Sequence, residues 1–487
     1  MSDRNVIVSN TIWKLLERII AQGISLIVSI LIARILSPTD YSVVSLVAIF
    51  FAFANVLISG GLNTALIQKK DADMYDYSTV LHVSVILSVA IYLVLFFTAP
   101  LIANLYKQES LTLIIRIMAI SLPITAVKSI WCAYISSQMQ FKKFFFATLG
   151  GTIVSGVVGI WMALKGFGAW ALVAQQMTNI AIDTIILILF TRIRIVFKIS
   201  FSRLKVLFKY GWKVFVSSLL GTTYSEVSPL VIGLKFSVDE LSFYSKGRSF
   251  PSMLSTTCTS TLSAVLFPFL AKYQDDKEQI LNYTRKFMQL SSFIIFPVML
   301  GFFAVAENFV YVILTEKWLL SVFYIQVFCI VYMFDVVAIG NCETIKAIGR
   351  SDVYLIIEII KKTCYAITLA LFIIFANSPS VLVLAYLICM IVQVVVNSIP
   401  NIKLINYKLI DQIKDLFPNL LISIIMCVAV MFLGRLSMDR TKLLALQVFY
   451  GVLIFSLLCL VTKNKSFAYC VNFIKERFQK KNEHNRV

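Results

Sequence analysis

The sequence predicts an all-α integral membrane protein with about 14 transmembrane helices, and three observations predict this fold class. Of the 487 residues, 59% are hydrophobic and only 14% are charged, and the mean hydropathy is +0.87. So few polar side chains could not cover the surface of a soluble protein of this length. Apolar stretches long enough to cross about 30 Å of hydrocarbon also recur along the whole chain.

The apolar stretches are separated by connections of at most about twenty residues, which are too short for a separate catalytic domain. The first stretch contains charged residues and lacks the cleavage site of a signal peptide, so we expect it to remain as a span. The predicted spans are residues 10–36, 41–61, 78–100, 112–136, 144–164, 169–190, 210–234, 249–270, 287–307, 318–340, 353–375, 380–400, 415–435 and 442–462.

Basic residues recur in short clusters between the spans, so the net charge of +19 indicates membrane topology and not a nucleic-acid partner. Alternate loops place about 27 Lys and Arg on the side that holds both termini and about 10 on the other, and the positive-inside rule makes the richer side cytoplasmic. Residues 201–209 and 467–481 alternate apolar with basic side chains and are predicted to lie on the inner leaflet as amphipathic helices.

Cysteine and histidine show no spacing typical of a metal, heme or disulfide site. The nine cysteines fall singly, and the two histidines, His82 and His484, lie far apart in the sequence. Metal sites need such residues at short, regular spacings. We therefore expect neither a metal nor a cofactor.

Two segments about two hundred residues apart match each other and predict an internal repeat. Residues 36–42 (LSPTDYS) correspond to residues 236–242 (FSVDELS), and Trp13-Lys14 corresponds to Trp212-Lys213. Such repeats are typical of secondary transporters, so we expect two pseudo-symmetric six-helix lobes around a central cavity, followed by two further helices. The predicted regions are an N-terminal lobe (1–190), a cytoplasmic amphipathic linker (191–209), a C-terminal lobe (210–400), two extra spans (401–462) and a basic cytoplasmic tail (463–487).

The first span carries three charged residues, Lys14, Glu17 and Arg18, on one helical face. At mid-membrane each charge would cost roughly 2.5–3.5 kcal/mol in hydrocarbon, so this face needs water or an opposite charge. The same face continues through Gln22, Ser25 and Ser29. This pattern predicts a water-filled cavity beside the first helix.

Polar side chains recur on three other predicted helices. Asn55 and Asn63 share one face of span two, whereas Lys213, Ser225 and Glu226 lie on span seven. Span eight carries five hydroxyl groups on one face, which could also be ordinary packing contacts between membrane helices. For span eight both interpretations stay open, but buried ions need a partner or water.

The chain resembles the polysaccharide-transport branch of the multidrug/oligosaccharidyl-lipid/polysaccharide exporters, the O-antigen-type flippases. The resemblance rests on residues 33–41 (ARILSPTDY), 65–71 (ALIQKKD) and 165–173 (KGFGAWALV), and it covers nearly the whole chain. It implies a cavity lined largely by helices one, two, seven and eight. Where that family usually has glycine after the aromatic residue of the first motif and of its repeat, this chain has Ser42 and Ser242.

The resemblance implies that the protein moves an undecaprenyl-diphosphate-linked sugar repeat unit from the inner to the outer leaflet of the bacterial cytoplasmic membrane without changing it covalently. Cationic side chains would bind the diphosphate, and we expect Arg18 and Lys213 in this role with Lys14 and Lys128 in reserve. Asn55, Asn63, Ser225 and the span-eight hydroxyls would bind sugar. A polysaccharide polymerase and a chain-length regulator are possible partners that the family implies.

Carboxylates inside the spans could couple transport to a proton or sodium gradient. The candidates are Glu17, Asp183, Glu226, Asp335 and Glu358. Glu17 has Lys14 and Arg18 nearby, and Glu358 has Lys361 and Lys362 at helical spacing, so both are better explained by pairing. We expect Glu226 and Asp335 to be the coupling sites.

Three other functions compete with this one. A peptidoglycan-precursor flippase is poorly separated from it by sequence motifs. A multidrug exporter for cationic drugs would have an acidic and aromatic cavity, but spans one and seven contribute cations here. A membrane-embedded polymerase or glycosyltransferase would need a large loop with catalytic residues, and the loops are short, so we do not expect an enzyme.

Overall fold

The computed structural model describes residues 20–469, except 70, 139, 192, 194, 197, 198, 272, 274 and 275, and for residues 260–265, 267–269, 271 and 351 it describes the backbone alone. The described part is helical throughout, apart from turns and short connections, as the sequence predicts. Contacts divide the chain into two compact units, residues 1–242 and 243–487.

The first unit is built from α1 to α9, and the start of α10 belongs to it. Two polar helix starts show why the chain folds this way: Ser37 and Asp73 each cap a helix by accepting the N–H of a residue three positions later, which satisfies donors that the first turn leaves free. The helices are α1 (Ile20–Ile35) and α2 (Pro38–Ser59), α3 (Leu62–Gln68), α4 (Met74–Leu105), α5 (Ser110–Ala119), α6 (Ser121–Ser137), α7 (Phe141–Leu164), α8 (Ala169–Phe190), α9 (Phe201–Lys235) and α10 (Val238–Ala271).

The second unit contains the rest of α10 and seven further helices. A short break at Phe334 separates α12 from α13, and a π-helical turn, Val310–Leu314, extends α11. The helices are α11 (Lys277–Phe309), α12 (Ser321–Met333), α13 (Asp335–Ala347), α14 (Ser351–Phe375), α15 (Pro379–Ile405), α16 (Leu409–Leu433) and α17 (Arg440–Val461).

Every predicted span coincides with helix in the described residues, but the count of fourteen spans stays a prediction. Ten helical stretches of the described part are long and apolar enough to cross a membrane, with α5–α6, α11 with its π-turn, and α12–α13 each counted once. Those left out are α1, of which only residues 20–35 are described, the seven-residue α3, and the more polar helices α9, α10 and α14.

The predicted internal repeat appears as the same local geometry at two helix starts. Ser37 Oγ accepts the N–H of Asp40 at 3.2 Å, and Ser237 Oγ accepts the N–H of Glu240 at 3.1 Å. Ser42 and Ser242, which replace the expected glycines, both lie within the helix, where each hydroxyl donates to the carbonyl three residues earlier. Serine is accommodated because this bond satisfies its buried hydroxyl.

Helix α9 joins the predicted linker to the predicted seventh span. It runs without a break from residue 201 to 235, so the amphipathic segment 201–209 is its first part and not a separate helix. The cause is local: no proline or cap interrupts the chain there, and Gly211 packs against the backbone of Gly61. Because α9 belongs to the first unit, the contact boundary differs from the predicted lobe boundaries, which remain a prediction.

Loops that the sequence places on the same side of the membrane meet within each unit. In the first unit, Arg203 forms an ion pair with Asp73, and Ser78 Oγ accepts the N–H of Val196 at 2.9 Å. In the second unit, Arg285 makes two hydrogen bonds of 2.8 and 3.0 Å to Asp415. In each unit, segments predicted to lie near the cytoplasmic side of the membrane therefore contact each other.

Candidate functional site

The first unit contains an ion pair inside its helices. Lys128 of α6 and Asp183 of α8 contact each other, and their side chains are 26% and 6% exposed. Asp183 Oδ1 is buried and accepts no hydrogen bond from the described residues. The sequence predicted the first as a reserve diphosphate ligand and the second as a coupling residue, but not that they pair, because they are 55 positions apart.

A polar cavity of about 660 Å³ lies in the same unit. It is lined by α1, α2, α7 and α8, and the polar face predicted on the first span contributes Gln22, Ser25 and Ser29. The part of the predicted polar face that the structure describes, Gln22, Ser25 and Ser29, therefore borders open space, and the predicted central cavity between two lobes stays a prediction. Lys14, Glu17 and Arg18 lie outside the described residues, so their roles remain predictions.

Helices α2, α3 and α9 carry the other predicted residues of the first unit, and they pack together closely. A Cβ added at Gly61, at the start of α3, would overlap the carbonyl of Gly211 and lie 2.9 Å from the nitrogen of Phe215. Gly61 also has a φ of +69°, a backbone region that favours glycine. Only glycine at this position lets α3 and α9 approach each other so closely.

The predicted sugar ligands of these helices have different surroundings. Asn55 is exposed, whereas Asn63 is half-buried and its Oδ1 accepts no hydrogen bond among the described residues. Ser225 donates its hydroxyl to the carbonyl of Thr222 on its own helix at 3.1 Å. The structure does not join these three side chains by a hydrogen bond within the described residues.

Two charged residues in the membrane part of α9, Lys213 and Glu226, are not used in ion pairs with the described residues. Lys213 is exposed and Glu226 is half-buried, and neither occurs among the ion pairs found in the part of the chain that the structure describes. They lie thirteen positions apart on one helix, or about 20 Å by helical rise. Lys213 is therefore accessible to an anion.

In the second unit, Asp335 lies at the start of α13, where α10 and α15 converge on it. Ser255 Oγ donates to Asp335 Oδ2 at 2.8 Å, and Gln393 Nε2 lies 3.5 Å from Oδ1. Both partners are neutral, and Asp335 takes part in no ion pair among the described residues. Glu358, by contrast, pairs with Lys361 at 2.5 Å, which confirms the pairing predicted from their spacing.

The sequence did not predict further polar contacts of the second unit, which are made by two basic residues of α10 and by one carboxylate of α16. Arg248 Nε donates to Tyr332 Oη at 3.0 Å, and Lys246 is 6% exposed and lies 5.7 Å from the ring of Trp318. Asp415 accepts bonds from Arg285, Tyr407 and Gln289. Their polar side chains in otherwise apolar helices could have marked them as candidates. The sequence does not indicate which of these side chains contact each other.

Within the described residues, no group of three or more His, Cys, Asp or Glu is placed to hold a metal ion.

Comparisons with known proteins agree with this architecture. A protein-family model described as "Polysaccharide biosynthesis protein" matches residues 31–323. The chain is 24% identical over 349 residues to a membrane protein in the cps region of Klebsiella pneumoniae. The aligned region covers 70% of this chain and 71% of that protein. It is 23% identical over 312 residues to the succinoglycan biosynthesis transport protein ExoT of Rhizobium meliloti, with 63% of each chain covered.

Among solved structures, the lipid II flippase MurJ has a similar fold. The TM-score is 0.74 at 14% sequence identity, over 93% of this chain and 98% of that one. At such low identity the likeness shows a shared all-α transporter fold and nothing about the substrate.

Proposed function

The chain belongs to the family of polysaccharide biosynthesis proteins, and we propose on this premise that it is a flippase. It moves an undecaprenyl-diphosphate-linked oligosaccharide repeat unit of O-antigen, capsule or exopolysaccharide from the inner to the outer leaflet of the bacterial cytoplasmic membrane by alternating access. The observation that carries the proposal is the family match over residues 31–323. The name of ExoT, a transport protein, and the fold shared with a flippase support transport without a covalent step.

A diphosphate cannot cross hydrocarbon unless cations or water replace its hydration. Lys213 can supply a cation without first breaking an ion pair of the described residues. Arg18 and Lys14 are proposed as further ligands of the diphosphate. Lys128 is less suited, because binding a diphosphate would separate it from Asp183 and leave a buried carboxylate unpaired.

Ion coupling is proposed at Asp335. Its carboxylate receives hydrogen bonds from neutral groups only, so gaining or losing a proton or a sodium ion changes the net charge at this point inside the helices. Asp183 is already neutralised by Lys128. Glu226 remains a second candidate, since it is half-buried, and Glu17 is proposed to adjust the charge beside Lys14 and Arg18.

Deleting the gene in its native host tests the function. We expect surface polysaccharide to disappear while the lipid-linked repeat unit accumulates, and the full-length chain supplied in trans to restore export. Retained polysaccharide together with new sensitivity to cationic dyes would replace this proposal with drug export. Retained polysaccharide with loss of cell-wall integrity would favour a peptidoglycan-precursor flippase.

The ligand assignment is tested separately in the complemented strain. Lys213→Gln removes the cation but keeps a polar side chain of similar length, and we expect export to fall at least tenfold because charge-assisted bonds to phosphate contribute about 1.5–3 kcal/mol. Lys165→Gln is a matched control, since Lys165 is exposed in the loop before α8 and has no proposed role. Wild-type export by normally produced Lys213→Gln protein would refute the assignment.

A further inference from the structure

The cavity of the first unit is distinguished by the chemistry of its walls. Ten of its thirteen lining residues carry a hydroxyl or an amide group. Helix α7 contributes Thr148, Thr152 and Ser155, and α8 contributes Gln175, Gln176 and Asn179. The walls therefore offer many donors and acceptors for hydrogen bonds at short intervals.

Among the described residues, none of those that line the cavity is charged. The charged groups closest to it along α8 are in the ion pair, since Asp183 follows Asn179 by one helical turn and is neutralised by Lys128. A ligand rich in hydroxyl groups but without charge matches the walls.

Loose packing between the helices does not explain the cavity. Along the same helix α7, a Cβ added at Gly156 would lie 2.6 Å from Val28 of α1, and one added at Gly159 would lie 2.9 Å from the Cβ of Gln175 on α8. Glycine thus brings α7 into close contact with both neighbours, while the polar residues between them remain around open space. The volume of about 660 Å³ is in the usual range of small-molecule sites, about 300–1,000 Å³.

We propose that this cavity binds uncharged sugar residues of the lipid-linked repeat unit and so forms a glycan site within the first unit. The proposal rests on the flippase function and deepens it. It predicts that the cavity distinguishes substrates by their sugars, because side chains placed to hydrogen-bond hydroxyl groups are left unsatisfied when those groups are missing.

Two substrates separate this site from the rest of the transporter. One is the complete lipid-linked repeat unit, extracted from a strain that lacks the transporter, and the other is the lipid that carries only the first sugar, from a strain that also lacks the second glycosyltransferase. The full-length protein is reconstituted into vesicles with either tritium-labelled lipid. Transport is measured as the labelled sugar that becomes accessible to periodate, which does not cross the membrane.

The variants are Gln176→Leu and Thr152→Val, which keep the approximate size of the side chain and remove hydrogen-bonding groups from α8 and α7. The hydroxyl of Thr152 donates to the carbonyl of Thr148 at 2.7 Å, so towards a sugar it acts as an acceptor. Each is expected to lower the ratio of complete to truncated substrate transported by about two- to tenfold, the range that corresponds to one lost hydrogen bond. Thr178→Val is the matched control, because Thr178 lies on α8 but does not line the cavity, and it should leave the ratio at its wild-type value.

An unchanged ratio, or an equal loss for both substrates, in folded protein would overturn the glycan site. If wild-type protein transports neither lipid, the proposed flippase function fails, and this outcome is distinct from the first. Should one variant not fold, the other decides, because they lie on different helices.

Discussion

Single carboxylates in the two units differ in how their charge is balanced. Asp183 lies against Lys128, so the two opposite charges compensate each other inside the helices. Asp335 has only hydroxyl and amide partners at 2.8 and 3.5 Å, which stabilise a charge less than a cation does. The sequence already favoured Asp335 over Asp183 as a coupling site, and their neighbours in the fold add the reason: coupling is proposed at Asp335 because its hydrogen-bond partners carry no charge.

Asp335→Asn is the prediction at this scale. We expect a protein that folds, since asparagine can still bind Ser255 and Gln393, but in which transport no longer responds to an imposed proton or sodium gradient. Transport in vesicles with and without each gradient measures this. The control is Glu307→Gln, which alters an exposed carboxylate paired with Arg440. A gradient response that survives in Asp335→Asn would move coupling to Glu226 or Glu17.

At the scale of elements, hydropathy predicted where helices occur, because each span must bury apolar side chains over the thickness of a membrane. It did not predict the breaks at Ile120 and Phe334, which divide two spans into α5–α6 and α12–α13. Pro123 accounts for the first break, because it has no N–H to donate to the carbonyl of Ala119 four residues before it. No proline or glycine lies within five residues of Phe334, so the second break depends on packing against other helices.

Close contact between α3 and α9 predicts a large effect of Gly61→Ala. An alanine there meets the backbone of α9 and also adopts a positive φ, so overpacking of about 1–3 kcal/mol adds to about 1–2 kcal/mol of left-handed strain. Gly166→Ala is a control with φ +81° and no atom within 4 Å of the added Cβ, so only the strain applies. Thermal unfolding in detergent should show the larger loss for Gly61→Ala, and equal losses would contradict the contact.

The contact between the start of α9 and the start of α4 should depend on pH. The guanidinium of Arg203 lowers the pKa of Asp73 from 3.8 to about 2. Because the folded pKa lies below the unfolded one, the ion pair contributes fully above about pH 4 and is lost as the pH falls towards 2. The contribution is small, since both side chains are well exposed.

Asp73→Asn keeps a capping side chain but removes this charge. The difference in melting temperature between wild type and Asp73→Asn should stay constant from pH 7 to pH 5 and shrink below pH 4. Asp71→Asn, an exposed change in the same loop, should give a pH-independent difference. A difference between wild type and Asp73→Asn that already disappears between pH 7 and pH 5 would contradict the lowered pKa.

For the whole molecule, the sequence predicted the fold class, because composition alone excludes a soluble core. It also predicted one wall of the polar cavity, from the face of Gln22, Ser25 and Ser29. The walls on α7 and α8 were not predicted, although their polar residues recur at helical spacing, as Thr148, Thr152 and Ser155 do on α7. Which polar residues meet across helices is decided by helix packing, and one sequence contains no direct signal of it.

The predicted number of spans can be tested by labelling loops. Three helices, α9, α10 and α14, are missing from the set of ten apolar spans because they are polar, yet fourteen crossings require all of them. In a variant without its native cysteines, Lys165→Cys, Glu316→Cys and Asn377→Cys should react with an impermeant maleimide in intact cells. Asp71→Cys and Lys408→Cys should react only after permeabilisation, because basic loops stay in the cytoplasm.

The same five positions also show which helix does not cross the membrane if the predicted number of spans is wrong. Six predicted crossings separate residue 165 from residue 377, and four of them come before residue 316. Because an even number of crossings separates them, residues 165, 316 and 377 should all lie on the same side of the membrane. If α9 or α10 alone did not cross, positions 316, 377 and 408 would change sides together. If only α14 did not cross, positions 377 and 408 would change sides and position 316 would not. Reversal of all five positions would instead keep the spans and invert the protein in the membrane.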